Sequence, residues 1–234
     1  MSIIPENLQA VHERIASAAT AVSREPDAVL LLAVSKTFGA DAVLAAMDAG
    51  QRAFGENYLQ EALDKITAVR TARPDCTLDW HFIGPIQSNK TRPIAEHFDW
   101  VHSVEREKIA QRLSDQRPAH LPPLNVCLQI NISGEASKSG VTCEEASALA
   151  HAVAAMPRLT LRGLMAVPEA AGSLDQQRLP FRQLHDLFDQ LCAEGLPLDT
   201  LSMGMSSDMN AAIAEGATIV RVGTAIFGKR DYAN

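Results

Sequence analysis

Leu30-Leu31-Leu32-Ala33-Val34-Ser35-Lys36-Thr37 is an apolar run that ends abruptly on a lysine. It is too short to cross a bilayer, and its length and polar borders suit a strand covered on both faces, although a buried helix shares the pattern. The carboxyl end of such a strand is where α/β barrels keep their chemistry. Lys36 is therefore either the first solvated residue after a core strand or a reactive amine, and the rest of the chain has to separate the two readings.

Working outward, Leu8, Val11, Ile15, Ala18, Ala19 and Val22 fall at helical spacing, which predicts an amphipathic helix over 6–22, ahead of the first strand. After Lys36 a turn at Phe38-Gly39-Ala40-Asp41 leads to a helix marked by Ala42, Val43, Ala46 and Met47, which Gly50 can terminate. The unit then recurs. Strands are expected at Ala53-Phe54-Gly55, Leu78 to Ile83, Asp99 to Ser103, Leu124 to Asn131, Leu159 to Met165, Thr200 to Gly204 and Ala217 to Val222. Helices are expected over 59–69, from Ser88 or Asn89 towards Phe98, and over 105–116, 144–155, 175–193 and 209–214. Eight strands, each trailed by a helix or helical turn and with no Ser/Pro-rich linker, predict an α/β fold: a single (β/α)8 barrel, 1–234, with an extra N-terminal helix. An open doubly wound sheet would want Gly-x-Gly-x-x-Gly after the first strand, and Ser35-Lys36-Thr37-Phe38-Gly39 is not that motif.

Composition narrows the partners. The 234 residues carry a formal charge of −7 and no basic block interleaved with aromatics, which argues against nucleic acid. Cys76, Cys127, Cys143 and Cys192 are scattered, with neither Cys-x-x-Cys nor a His-Cys cluster at metal spacing, so they read as reduced thiols and Cys127 as core. No leader-like amino terminus and no membrane-length apolar segment is seen, so a soluble cytoplasmic protein is expected.

The chemistry collects at the last loops. Ser202-Met203-Gly204-Met205-Ser206-Ser207-Asp208-Met209 sets hydroxyls at a helix start, and Arg221-Val222-Gly223-Thr224 sets a glycine and a hydroxyl after the last strand. In a barrel these loops form a common phosphate site. Ser206 as an ordinary N-cap and Gly223-Thr224 as an ordinary turn are the plain alternatives. A phosphate seat opposite a strand-end lysine suits an aldehyde or ketone that carries phosphate, since a desolvated lysine has a lowered pKa and forms imines. Pyridoxal 5′-phosphate and a sugar phosphate both answer to that description. Arg221, two residues before Gly223 and on the same strand face, can point into the mouth towards a pyridine nitrogen, or sit in a buried ion pair.

The chain closely resembles the YggS/PROSC pyridoxal phosphate homeostasis proteins, relatives of the alanine racemase barrel. The resemblance rests on Ala33 to Thr37, Phe54 to Tyr58, Trp80 to Lys90, Ser137 to Gly140, Arg162 to Met165, Ser202 to Ser206 and Arg221 to Gly228. It implies Lys36 as the Schiff-base lysine, Ser206, Gly223 and Thr224 at the phosphate, Arg221 at the pyridine nitrogen, and Asn57, His81 and Met203 lining the cofactor. A guanidinium at the ring nitrogen disfavours its protonation and makes the cofactor a poor electron sink. Alanine racemase adds a β-rich domain that brings a tyrosine base from the partner subunit. Here the tyrosines are Tyr58 and Tyr232, and such a second domain is not expected. The expectation is reversible binding of pyridoxal phosphate, for buffering or for delivery to cofactor-dependent apoenzymes, with little or no turnover and as a monomer. An amino acid racemase or an imine-forming aldolase is the alternative. Lys138 is either a release lysine acting by transimination or a solvated loop charge, Lys90 a surface charge or an anion contact, and Tyr58 either near the mouth or partly buried.

Overall fold

The computed structural model describes residues 3–134, 139–169 and 171–228. Its strands are β1 (Leu30–Val34), β2 (Ala53–Glu56), β3 (Asp79–Phe82), β4 (Trp100–Val104), β5 (Leu124–Gln129), β6 (Leu159–Met165), β7 (Thr200–Met205) and β8 (Ile219–Val222). Its helices are α1 (Ile4–Thr20), α2 (Ala40–Asp48), α3 (Leu59–Ala72), α4 (Thr91–His97), α5 (Glu107–Gln116), α6 (Cys143–Ala154), α7 (Leu174–Ala193), α8 (Met209–Ala214) and α9 (Thr224–Phe227). The strands pair in chain order and all in parallel. β1 closes on β8 with Leu30 opposite Ile219 and Leu32 opposite Arg221, which makes the (β/α)8 barrel expected from the alternation.

Two apolar layers follow from strand alternation. Leu32, Ala53 and Ile219 fill the barrel interior with Ile83 beside them. The larger core lies between barrel and helices, where Phe54 meets Trp80 at 5.7 Å between ring centres and Phe82 meets Phe98 at 5.3 Å. On β1, Leu32 faces inward, so Val34 and Lys36 continue the inner face and Ala33 and Ser35 the outer one.

Helix α1 buries Leu8, Val11, Ile15 and Ala19 on one face, which stabilises by about 2 kcal/mol for each large side chain. Its polar face ties down the end of the chain that carries the last loops. Asn7 donates to the Ile226 carbonyl at 2.8 Å and Arg14 to the Ser206 carbonyl at 3.2 Å, and just past the helix Arg24 donates to the carbonyls of Ile213 and Ala217 at 2.8 Å each. Helix α2 stops at Gly50, whose φ of +100° a side chain would oppose, as expected from its sequence position.

Several boundaries differ from the expectation. β1 ends at Val34, so Ser35 and Lys36 lie on the exit turn, and Lys36 is half-buried rather than enclosed in a strand. β2 extends through Glu56. The Ser88–Lys90 stretch is a 3-10 turn that precedes α4, and α9 is a short helix the periodicity did not suggest. Among the described residues, no helix is long and apolar enough to cross a membrane.

Candidate functional site

The carboxyl ends of the strands open on a cavity of about 430 Å³. Six of the eight candidate residues line it: Lys36 from the β1 exit, Asn57 from the β2 exit, Ser206 from the β7–α8 loop, and Arg221, Gly223 and Thr224 from β8 and its exit. Its charged lining residues, among those described, are Lys36 and Arg221, both cations. Val34, Phe38, Ile83, Met165, Val167 and Met205 supply the apolar wall.

Lys36 rides on a tight turn closed by the Phe38 amide donating to the Ser35 carbonyl at 3.1 Å. Lys36 and Thr37 are its central residues, and Thr37 has a φ of +69°, where glycine or asparagine is usual. A β-branched residue there costs on the order of 1–3 kcal/mol unless its surroundings hold it. They do: the Thr37 amide donates to Glu61 Oε1 at 2.6 Å. Lys65 Nζ donates to the Ser35 carbonyl at 2.8 Å, to Glu56 Oε1 at 2.6 Å and to Glu61 Oε1 at 3.1 Å. Ser35 Oγ donates to the same Glu56 oxygen at 2.6 Å. Glu56 and Lys65 are 0% and 4% exposed. Burial pushes the Glu56 carboxyl pKa up, against the pull of Lys65 and Ser35.

Asn57 is fixed from the neighbouring strand. A Cβ on Gly84 would come within 2.2 Å of the Asn57 carbonyl oxygen, so only glycine lets β3's exit pack this closely. Asn57 lines the cavity, and its side-chain oxygen is buried without a hydrogen-bond partner among the described residues, which leaves an unsatisfied acceptor beside the cavity.

At the opposite end, Ile226 and Phe227 both donate to the Gly223 carbonyl at 2.9 Å, and the Thr224 and Ala225 amides, the first donors of α9, have no backbone acceptor among the described residues. Ser206 does not cap α8. Asp208 holds the N-cap position, and its carboxylate accepts from the Met205 amide at 2.6 Å, which leaves the Ser206 hydroxyl to the cavity.

Arg221 is 6% exposed. It donates to the Ser202 carbonyl at 2.6 Å, to Ser202 Oγ at 2.9 Å and to the Ala166 carbonyl at 2.9 Å, and among the described residues it makes no ion pair. Burial lowers its pKa to about 10, so it stays protonated at neutral pH. Behind Ser202 runs a column of imidazoles: His102 Nδ1 lies 2.7 Å from Ser202 Oγ, and His102 Nε2 lies 2.8 Å from His81 Nδ1. His81 in turn stacks on Trp100 at 5.2 Å. Burial pushes the His81 pKa down to about 3 and that of His102 well below the ordinary imidazole value, aided there by His81 and Arg221.

Two candidates therefore stand away from the cavity lining. His81 lies in the barrel interior with its neighbour His102. Met203 is fully buried in the layer between barrel and helices, because Ser202 takes the inward face and the next residue must face out. A register shift between Ser202 and Met205 brings Met205 to the mouth instead. Tyr58 is 51% exposed and Lys90 is exposed, both outside the cavity lining. Lys138 and Tyr232 lie outside the described residues. Sequence reasoning did not find Glu56, Glu61 and Lys65 behind the turn, nor His102 and Ser202 behind Arg221.

A closed parallel barrel with a cationic mouth defines the class, and comparison with known proteins narrows it. The family described as "Alanine racemase, N-terminal domain" matches residues 7–231. The chain is 62% identical to the pyridoxal phosphate homeostasis protein of Pseudomonas aeruginosa, over 99% of this chain and 98% of that one. It is 55% identical to the Escherichia coli K12 protein of the same name, over 100% and 99%. It is 37% identical to PipY of Synechococcus elongatus, solved with PLP bound, at a TM-score of 0.77 over 92% of this chain and 100% of that one. The chain belongs to this family of pyridoxal phosphate homeostasis proteins.

Proposed function

We propose that this chain binds pyridoxal 5′-phosphate in the cavity, tethered to Lys36, and serves to hold and release it for cofactor-dependent apoenzymes rather than to turn over amino acids. The observation that carries this reading is the charge pattern of the cavity, whose charged lining residues among those described are the cations Lys36 and Arg221, with Ser206 and Thr224 also in the lining. Such a lining suits an anion. The names of the relatives and the PLP-bound PipY structure support the choice of anion.

The residues present fit the group. Ser206, Thr224 and the Thr224 and Ala225 amides would take the phosphate, Lys36 the aldehyde, and Arg221 the pyridine nitrogen. Asn57 Oδ1, buried and unpartnered, would accept from a ring substituent. The cofactor, once bound, supplies an aldehyde for a lysine amine and an aromatic ring able to absorb charge. Arg221 limits the second capacity. Held by two carbonyls and a hydroxyl and protonated at neutral pH, it would donate to the ring nitrogen and give up no proton there. His81 and His102 sit in the barrel interior, neutral, where the imidazole column holds Ser202, one of the guanidinium's partners, in place.

The test is the visible spectrum of purified protein with added pyridoxal phosphate, followed by borohydride reduction and peptide mapping. A band that reduction bleaches, with the adduct on Lys36 and lost in Lys36→Ala, is expected. No band and no Lys36 adduct overturns the binding reading, and racemisation of alanine or serine at the rate of a dedicated enzyme overturns the homeostasis reading.

A further inference from the structure

The three side chains gathered behind Lys36, those of Glu56, Glu61 and Lys65, have no part in lining the cavity, yet they grip both of its peptide neighbours. Ser35 is held at its carbonyl by Lys65 Nζ at 2.8 Å and at its hydroxyl by Glu56 at 2.6 Å. Thr37, with its φ of +69°, is held at its amide by Glu61 at 2.6 Å. Lys65 joins the two carboxylates, at 2.6 Å to Glu56 and 3.1 Å to Glu61, so α3 is tied to the β1 exit and to the end of β2 by one ammonium group. Glu56 also ends β2 and immediately precedes Asn57, which lines the cavity.

A buried ion pair is poor value as a source of stability, since apolar side chains of the same volume do as well or better. Apolar side chains would fit here, since Ile66 beside Lys65 on the same helix is almost fully buried. A charged trio directly behind the cavity's lysine calls for a geometric reason. The turn it holds is one that a β-branched Thr37 resists, and its relaxation would swing the Lys36 backbone, because Lys36 is the other central residue.

From this arrangement, and resting on the cofactor reading above, we infer that Lys65, Glu56 and Glu61 form a clamp of positioning residues that presets the Lys36 turn, so that the amine faces the cavity ready to capture an aldehyde. The effect is one of preorganisation: the amine is aimed before the aldehyde arrives, and the rate of capture carries the benefit. Glu61 is the gentlest point at which to break it, since its side chain is 35% exposed.

The experiment compares wild type, Glu61→Ala, Glu61→Gln and Lys65→Met, each checked by thermal melting. Lys36 is trace-labelled with a small aryl aldehyde and cyanoborohydride, and its labelling rate is read by mass spectrometry relative to exposed Lys90 in the same molecules. Stopped-flow absorbance follows capture of pyridoxal phosphate in parallel. The expected result is a Lys36:Lys90 labelling ratio at least fivefold lower in Glu61→Ala and Lys65→Met. Glu61→Gln, which keeps an acceptor for the Thr37 amide, should recover most of the ratio while Glu61→Ala melts within a few degrees of wild type. An unchanged ratio in Glu61→Ala and Lys65→Met, both folded, overturns the clamp. If Lys65→Met does not fold, Glu61→Ala against Glu61→Gln decides alone. A wild type that forms no band with pyridoxal phosphate overturns the cofactor reading and leaves the labelling ratio to judge the clamp.

Discussion

Acidification from pH 8 to pH 4.5 should weaken the barrel through His81 and His102, the two imidazoles sealed in its interior. His81 is 1% exposed, and burial lowers its pKa from 6.5 to about 3; His102 is 0% exposed and is shifted the same way. The unfolded chain takes up these protons below pH 6.5 while the folded chain does not, so the stabilising contribution is whole above pH 6.5 and is lost as the pH falls towards 3. At about 1.4 kcal/mol per pH unit, His81 alone removes about 3 kcal/mol by pH 4.5, and His102 adds to it. That is a large part of the roughly 5–15 kcal/mol available to a domain. Glu56 and Asp99, whose carboxyl pKa values burial raises, work in the opposite sense: the folded chain binds their protons first and gains stability as the pH falls. Urea unfolding at pH 8, 6.5, 5.5 and 4.5, followed by circular dichroism, should be run on wild type and on the His81→Gln/His102→Gln double variant. Glutamine also donates and accepts but does not titrate. The carboxyl contributions cancel in the comparison, and the double variant, weaker at pH 8, should lose at least about 3 kcal/mol less between pH 8 and pH 4.5. Equal losses in the two proteins would refute the assignment of these histidines as neutral in the fold.

Ser206→Ala should lower the affinity for pyridoxal phosphate and for inorganic phosphate used as a competitor by about tenfold or more, the scale of one hydrogen bond to a charged group, while leaving the melting temperature unchanged. Gly84→Ala should cost about 1–3 kcal/mol in a denaturant midpoint, because its Cβ would fall 2.2 Å from the Asn57 carbonyl oxygen and 2.8 Å from Asn57 Cα. The same variant should weaken cofactor binding through the displaced Asn57, whereas Gly172→Ala, with open space around it, should change neither quantity.

The alternation of apolar runs with amphipathic stretches carries the barrel almost entirely. β6 at Leu159–Met165 and α8 at Met209–Ala214 occupy the residues their patterns mark. What periodicity misses is closure and local irregularity. Thr224–Phe227 is too short to show a helical period, and the register shift in β7 exchanges Met205 for Met203 at the mouth. Cys127, read as core, is fully buried, on the inner face of a strand that alternates in a closed barrel. The clamp is hidden for a different reason. Glu61 and Lys65 stand four apart on α3 and read as an ordinary solvated pair, and only the barrel shows that Lys65 is covered while its ammonium reaches Ser35. His81 and His102 likewise carry no mark of depth in the sequence, since each sits on a short strand whose inner face becomes interior only when eight strands close.

Arg221 and Lys65 show two opposite uses of a buried cation. Lys65 is matched by the carboxylates of Glu56 and Glu61, so nothing remains for a ligand and its work is confined to geometry. Arg221 is oriented by the neutral oxygens of Ser202 and Ala166 and has no carboxylate partner among the described residues. A buried guanidinium left without a counter-charge is costly, and the cost is offset only when an anion or a strong acceptor enters beside it. Adding a carboxylate to satisfy Arg221 from within the protein would stabilise the free barrel and spoil the cavity, because the same charge would repel a phosphate. The chain as a whole carries a formal −7, so an anion is drawn to this mouth by the local pair Lys36 and Arg221, against the average field. Placing one cation in a clamp and leaving the other uncompensated makes the free barrel pay a standing electrostatic cost that the bound ligand relieves, which is the behaviour required of a protein that must hold its cofactor and also let it go.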